Sequence, residues 1–430
     1  FVLRGNTQEV EILTLEDCLR IGIDNNLSLE GKRKEIQKSK YGVSENRSKL
    51  LPQINAIAGY NNNFDPPVSV TDGSSYGVPY NITKTLQHSA NAGLEMQMPL
   101  FNQTLYTSMS IAKVMEEISR LSYGKAREDV ILQISKMYYL GQVTAEQIML
   151  IKANITRLEE LRDITQAFFD NGMSMEVDLK RVNINLENLK VQYDNAQAMM
   201  KQQLNMLKYI MDYPAEKEIA LTPVNTDSIT TVALTGLSEN IYELQLSQSQ
   251  VQLAERQKKI ITNGYIPSLS LTGSWRYAAY TDKGYHWFHS GPSNQWFRSY
   301  GVGLTLRIPI FDGLDKTYKI KKAMIDIENK RLAWEDARKN LQTQYLNAVN
   351  DLMNNQRNFK KQKDNYLLAE DVYAVTSDRY REGIASMTEV LQDEMQMSEA
   401  QNNYISAHYN YRVTNLMLLK LTGQIESLVK

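Results

Sequence analysis

Cysteine is almost missing from this chain: Cys18 stands alone among 430 residues, so no disulfide can form within it. Buried packing is the expected role of that thiol, which sits in the short amphipathic stretch "LTLEDCLRIGIDNN". Histidine is nearly as scarce. Four histidines spread along the chain offer no nucleophile–base arrangement, and no enzyme site is legible. His286 and His289 in "HWFH" have no carboxylate cluster near them in sequence, so no metal is expected. The "GVG" at 301–303 opens no helix and is not a phosphate loop. No cofactor is expected. An excess of either charge is also absent, with 48 Lys and Arg against 49 Asp and Glu interspersed along the chain, and nothing points to nucleic acid. No apolar run approaches the ~18 residues of a membrane-spanning helix. Phe1 opens the chain in place of methionine, as expected after removal of a leader in the cell or in cloning.

What is present is a duplication. "LLPQI" at Pro52 is echoed by "YIPSL" at Pro267, and "MPLFN" at Pro99 by "IPIFD" at Pro309. Gly172 is matched by Gly383, and "LNMLK" ending at Lys208 by "LMLLK" ending at Lys420. These offsets are 215, 210, 211 and 212 residues, in one order. A constant offset of this kind marks an internal repeat. Repeat one covers 14–213 and repeat two 237–423, with a small mixed collar insert at 213–236 joined by the termini.

Each repeat holds a long helix, 102–171 and 313–382, free of proline. The second carries apolar residues at strict sevens: Ile320, Ile327, Trp334, Leu341 and Ala348, then a seam of Tyr345, Leu352, Phe359, Tyr366, Tyr373 and Tyr380. Ile148, Ile151, Ile155 and Leu158 repeat at threes and fours in the first. A seven-residue repeat stays in register only by left-handed supercoiling against neighbours, so the tyrosine seam reads as helix packing. Some 70 residues of helix make a rod of roughly 100 Å. Returning helices follow each glycine, at 173–213 and 384–422. Gly172 and Gly383 suit the left-handed conformation that ends a helix.

Between the prolines, at 52–101 and 267–311, the period changes from seven to two. "PSLSLTGSWRYAAY" sets Leu269, Leu271, Gly273, Trp275 and Tyr277 against Ser270, Thr272, Ser274 and Arg276. "YGVGLTLRIPIF" sets Val302, Leu304, Leu306 and Ile308 against Gly303, Thr305 and Arg307, and Leu94, Met96 and Met98 alternate with Glu95 and Gln97. Strands of about ten residues with one apolar and one polar face are the signature of a transmembrane β-barrel. Glu95, Gln97, Arg276 and Arg307 then belong to its lumen, and the loops 65–86 and 281–298, the latter with Trp287 and Phe288, face the outside. Four strands cannot close, since even small barrels take about 8, and an open edge in lipid leaves backbone groups unsatisfied. The barrel is therefore expected to be shared between chains. The alternative is a soluble coiled-coil scaffold whose hairpins form a β head.

Taken together, "LTLEDCLRIGIDNN", the strand-opening Pro52 and Pro267, the closing "PLFN" and "PIFDG", and the reversals "DNGMSMEVDL" and "YREGIASMTEVL" resemble the TolC-like outer-membrane efflux channel family. The resemblance spans essentially the whole chain. It implies an α+β membrane protein that forms a homotrimer in the lipid bilayer of a Gram-negative outer membrane. A twelve-strand β-barrel would run into a twelve-helix periplasmic α-barrel tunnel. It also implies a passive exit duct for small molecules or secreted substrates, docked to a periplasmic adaptor protein and an inner-membrane RND, ABC or MFS transporter.

The same resemblance assigns residues. Glu389 falls where the family carries the first of two aspartates lining the closed periplasmic entrance; the second falls on Gln392, with Asp393 as its substitute. Glu176 takes the similar place in the first repeat, whose turn reads one residue shorter, and Asp178 lies beside it. Tyr380 matches a tyrosine that latches the inner helices. The arginine sharing that latch falls on Ala385, with Arg379 or Arg381 as replacements. Asn171, Gly172, Met173, Glu382, Gly383 and Ile384, at the two reversals, are the expected adaptor-docking turns. For Glu389 the plainer reading is a solvated first-turn residue favoured by the helix dipole.

Overall fold

In a computed structural model of the chain, residues 10–223, 236–282 and 296–429 are described. His286, Trp287, Phe288 and His289 lie outside the described residues, as do 224–235 of the collar insert. The order is β1 (Glu11–Leu13), α1 (Leu15–Asn25), α2 (Leu27–Ser48), β2 (Gln53–Asn62), β3 (Val68–Asp72), β4 (Tyr80–Lys84), β5 (His88–Phe101), α3 (Gln103–Asp170) and α4 (Glu176–Met211). It continues with β6 (Ile219–Leu221), α5 (Tyr242–Asn263), β7 (Ser268–Thr281), β8 (Trp296–Arg307), α6 (Asp315–Arg381) and α7 (Met387–Leu421).

Two compact units form, one from Phe1–Ile36, Ser119–Gln248 and Leu332–Lys430, the other from Gln37–Ile118 and Ser249–Arg331. Each draws on both repeats. The second unit holds an antiparallel sheet in the order β2-β5-β7-β8. Its register keeps like with like: Leu271 faces Leu304, Leu269 faces Leu306, and Leu94 lies between Ala56 and Trp275. On the other side Thr272 lies between Gln97 and Gly303, and Ser268 faces Arg307. A one-residue slip would mix the faces, so the alternation excludes every odd-numbered slip of the pairing. Trp275, Tyr277 and Tyr300 gather at one end of the apolar face, with Trp275 facing Tyr300, as in the aromatic girdle of a membrane barrel.

Two differences from the sequence reading arise here. Strand β8 ends at Arg307, so Ile308 does not extend its apolar face; Pro309 follows, with no N–H to donate to a ladder. Its counterpart Pro99 is kept within β5, where the register with β7 shifts between Pro99 and Phe101. The loop 65–86 also contains a hairpin of its own, β3 with β4, whose pairing sets Val68 against Lys84 and Asp72 against Tyr80.

The first unit is helical. Thr14 begins α1 with a capping box, its hydroxyl oxygen accepting from the Asp17 amide at 3.1 Å, which satisfies a donor left free by the helix end. Cys18 is fully buried, and that burial pushes its thiol up to about 12. β1 pairs in parallel with β6, a short strand of the collar. The α6 seam faces the interior: Tyr345, Tyr373 and Tyr380 are buried, and Phe359 lies 5.8 Å from the ring of Tyr404 and 4.9 Å from that of His408. The seven-residue repeat is thus spent on packing.

The facing seam on α7 is polar, which the sequence reading missed. Glu394, Gln401, His408 and Asn415, with Thr422 at the cap, recur at sevens and are all buried. Gln401 accepts from the Asn154 amide at 2.7 Å, Arg412 donates to His408 Nε2 at 2.9 Å, and the Tyr404 hydroxyl donates to Glu146 at 3.0 Å. Gln401 and His408 Nε2 are thereby paired, the condition under which buried polar groups are tolerated, and at seam positions such groups select one register over its neighbours.

Candidate functional site: two helical turns and a polar sheet face

The two reversals are built alike. Gly172 has φ 72° and Gly383 φ 74°, the left-handed region that favours glycine. The Gly172 amide donates to the Phe169 carbonyl and the Met173 amide to that of Phe168. The Gly383 amide donates to Tyr380 and the Ile384 amide to Arg379 in the same pattern. Both are Schellman turns. Asn171 donates its side-chain amide to the Ala167 carbonyl. Met173 and Ile384 stand 70% and 62% exposed, Glu382 is exposed beside them, and Met175 adds a third apolar side chain to the tips.

The first turn is not shorter than the second. Residues 171–175 and 382–386 separate the helices, five in each case. The residue equivalent to Glu389, third in its helix, is therefore Asp178 and not Glu176. Glu176 pairs with Lys180 at 2.7 Å, which holds its carboxyl below the usual range. Asp178 is reached by Arg181 at 3.4 Å, and the same guanidinium donates to Thr388 on α7.

Glu389 closes a capping box. Its carboxylate accepts from the Ser386 amide at 3.0 Å while the Ser386 hydroxyl accepts from the Glu389 amide at 3.3 Å. The motif "SMTE" carries that signal in plain sequence. Met175, the corresponding cap residue of α4, makes no side-chain cap. Gln392 is exposed and Asp393 half-buried on the following turn. Tyr380 is buried, its hydroxyl donating to Thr165 at 3.3 Å and its ring 5.6 Å from Phe168. Ala385 is buried, and Arg381 reaches Glu160 on α3 at 3.3 Å. Between the two arginines named as replacements, Arg381 is the one that ties α6 to α3.

On the sheet, Arg276 and Glu95 meet at 2.7 Å across β5 and β7. Gln97 lies between Gln53 and Thr272, and Arg307 is exposed at the far end of β8. Asn55, Thr272, Ser274, Gly301 and Gly303 complete a shallow polar concavity of about 510 Å³ around the ion pair. Among the described residues no cluster of three metal-ligating side chains occurs, and no helix is long and apolar enough to cross a membrane.

Comparison with known proteins accounts for this combination. A family model described as outer membrane efflux protein matches residues 21–211 and 233–424, one match for each repeat. The outer membrane protein TolC of Vibrio cholerae is 21% identical over 399 residues, covering 89% of this chain and 84% of its own. The probable efflux pump outer membrane protein TtgC of Pseudomonas putida is 23% identical over 379 residues, covering 83% and 75%. In structure, CusC superposes with a TM-score of 0.78 at 16% identity, covering 95% of this chain and 91% of that one. The MtrE outer membrane channel of Neisseria gonorrhoeae gives 0.75 at 19%, covering 95% and 88%. The chain belongs to the outer membrane efflux protein family.

Proposed function

We propose that three copies of this chain form the outer-membrane exit duct of a tripartite efflux or secretion system. The duct conducts small molecules or secreted substrates passively out of the periplasm of a Gram-negative bacterium. The observation that carries this is the four-stranded sheet, sorted by register into an apolar and a polar face and ending in the two edge strands β2 and β8. Such edges are unstable in lipid unless another chain pairs with them, and threefold assembly supplies twelve strands. The helices support the same assembly. Tyr318, Ile325, Leu332, Leu346, Met353 and Leu367 form a second stripe on α6, at intervals of seven and fourteen, and stand 50–63% exposed. Val177, Ile184 and Val191 recur at sevens on α4 and stand 45–61% exposed. Stripes of this period are seams awaiting a partner helix. Mass measurement in mild detergent should give a trimer; a stable monomer or dimer would sink the proposal.

The two turns form the periplasmic end, where Asn171, Gly172, Met173, Glu382, Gly383 and Ile384 meet the adaptor protein, and an RND, ABC or MFS transporter supplies the energy. Three copies of Glu389 narrow the entrance electrostatically and favour cations there, with Asp178 at the equivalent place in the outer turns. The capping box dictates the test. Glu389→Gln keeps an acceptor for the Ser386 amide and removes the charge. Planar-bilayer recordings should show weaker cation preference and weaker block by cations added on the periplasmic side. Unchanged selectivity and block would remove Glu389 from the gate.

A further inference from the structure

Across the described residues of the four strands, the polar face carries only three charged side chains, Glu95, Arg276 and Arg307. Everything else on that face is uncharged: Gln53, Asn55, Asn91 and Gln97 on the first two strands, hydroxyls and glycines on most of the last two. Two of the three charges cancel. Arg276 Nη2 lies 2.7 Å from Glu95 Oε1, and both side chains remain nearly half exposed. They stand on a floor without bulk. Gly93 faces Arg276 in the register, and a methyl group added at Gly301 or Gly303 would meet only the Ser274 or Thr272 hydroxyl. The pair therefore projects to the open side of the sheet. Arg307 is separate from it. Its register partner is Ser268, six residues along β7 from Ser274, which faces Glu95. Six residues of strand span about 20 Å, well beyond the screening length of about 8 Å at physiological salt.

We infer that Arg307 sets the charge preference of the barrel section, as a positive ring near the helical end, while Glu95 neutralises Arg276 further along the strands. The inference rests on the reading that this face lines a water-filled barrel. A contact ion pair acts on a passing ion as a dipole, whose field falls faster with distance than that of a single charge. An unpaired arginine acts as a monopole. Cargo carrying negative charge, such as carboxylates or phosphates, is favoured at the Arg307 level, and the Glu95–Arg276 level is neutral to charge of either sign.

The test is the reversal potential of single channels in planar bilayers under a salt gradient. Arg307→Gln should shift the anion-to-cation permeability ratio toward cations by about twofold at 0.1 M salt. Glu95→Gln should shift it toward anions by a similar factor and Arg276→Gln toward cations, since each exposes the other's charge. The double variant Glu95→Gln/Arg276→Gln should return to the wild-type ratio, a compensation that general damage to the barrel would not produce. The inference is overturned if Arg307→Gln leaves the ratio of a conducting channel unchanged, or if the two single variants of the pair move it in one direction. Wild-type protein that remains a monomer in mild detergent, with the edge strands β2 and β8 unpaired, would overturn the barrel reading itself, and the inference with it.

Discussion

Arginine at Leu304 or Leu271 should leave little folded trimer in the outer membrane. The two leucines face each other across β7 and β8 in the middle of the apolar face. A charge at the bilayer midplane costs about 2–4 kcal/mol on a barrel's lipid side, and a trimer bears that cost in every chain. Arginine at Thr305 or Thr272, one residue away on the polar face, should be tolerated, because there the side chain meets water. The measurement is the amount of trimer recovered from outer-membrane fractions for the four variants. Equal recovery of all four would show that the two faces have been assigned wrongly.

Removing the carboxylate of Glu128 should stabilise the helical unit, but only at higher pH. Glu128 lies on α3 and is 4% exposed. Burial pushes its carboxyl up to about 7, with Lys420 opposing the shift and Glu426 and Asp129 adding to it. Lys420 is itself bonded to Asp129, and Arg127 to Glu426 at 2.7 Å, so neither cation is free to serve Glu128 alone. Because the folded carboxyl holds its proton more tightly than the unfolded one, its contribution to stability is fully present below the unfolded value of 4.5. That contribution is lost as pH rises through about 7. After allowance for screening at the solvent-facing edge, the loss is on the order of 2 kcal/mol. Glu128→Gln cannot ionise, so its unfolding midpoint should exceed that of wild type at pH 8 and match it at pH 4.5. An equal difference at both pH values would show that Glu128 does not titrate in this window.

Much of this protein was legible from period alone. Seven-residue spacing placed Tyr345, Tyr373 and Tyr380 on a buried face, and two-residue spacing placed Leu271 opposite Thr272, because a side chain's face follows from local backbone geometry. Gly172 and Gly383 announced the reversals for the same kind of reason, a backbone conformation that few other residues adopt. The capping box of Ser386 and Glu389 was equally local, and "SMTE" could have been read as one. The equal length of the two turns could not, since helix ends depend on which amides find partners.

What only the tertiary structure decided are the pairings between distant segments. Glu95 and Arg276 are 181 residues apart, and no period in either strand says which residue of β5 lies beside which of β7. His408 read as a scattered histidine until α3 and α7 enclosed it with Glu146, Tyr404 and Arg412. Periodicity determines which face of an element is buried. Register between elements is set by the sum of many cross-element contacts, each worth little alone, and with it the charges that cancel and those that stay free.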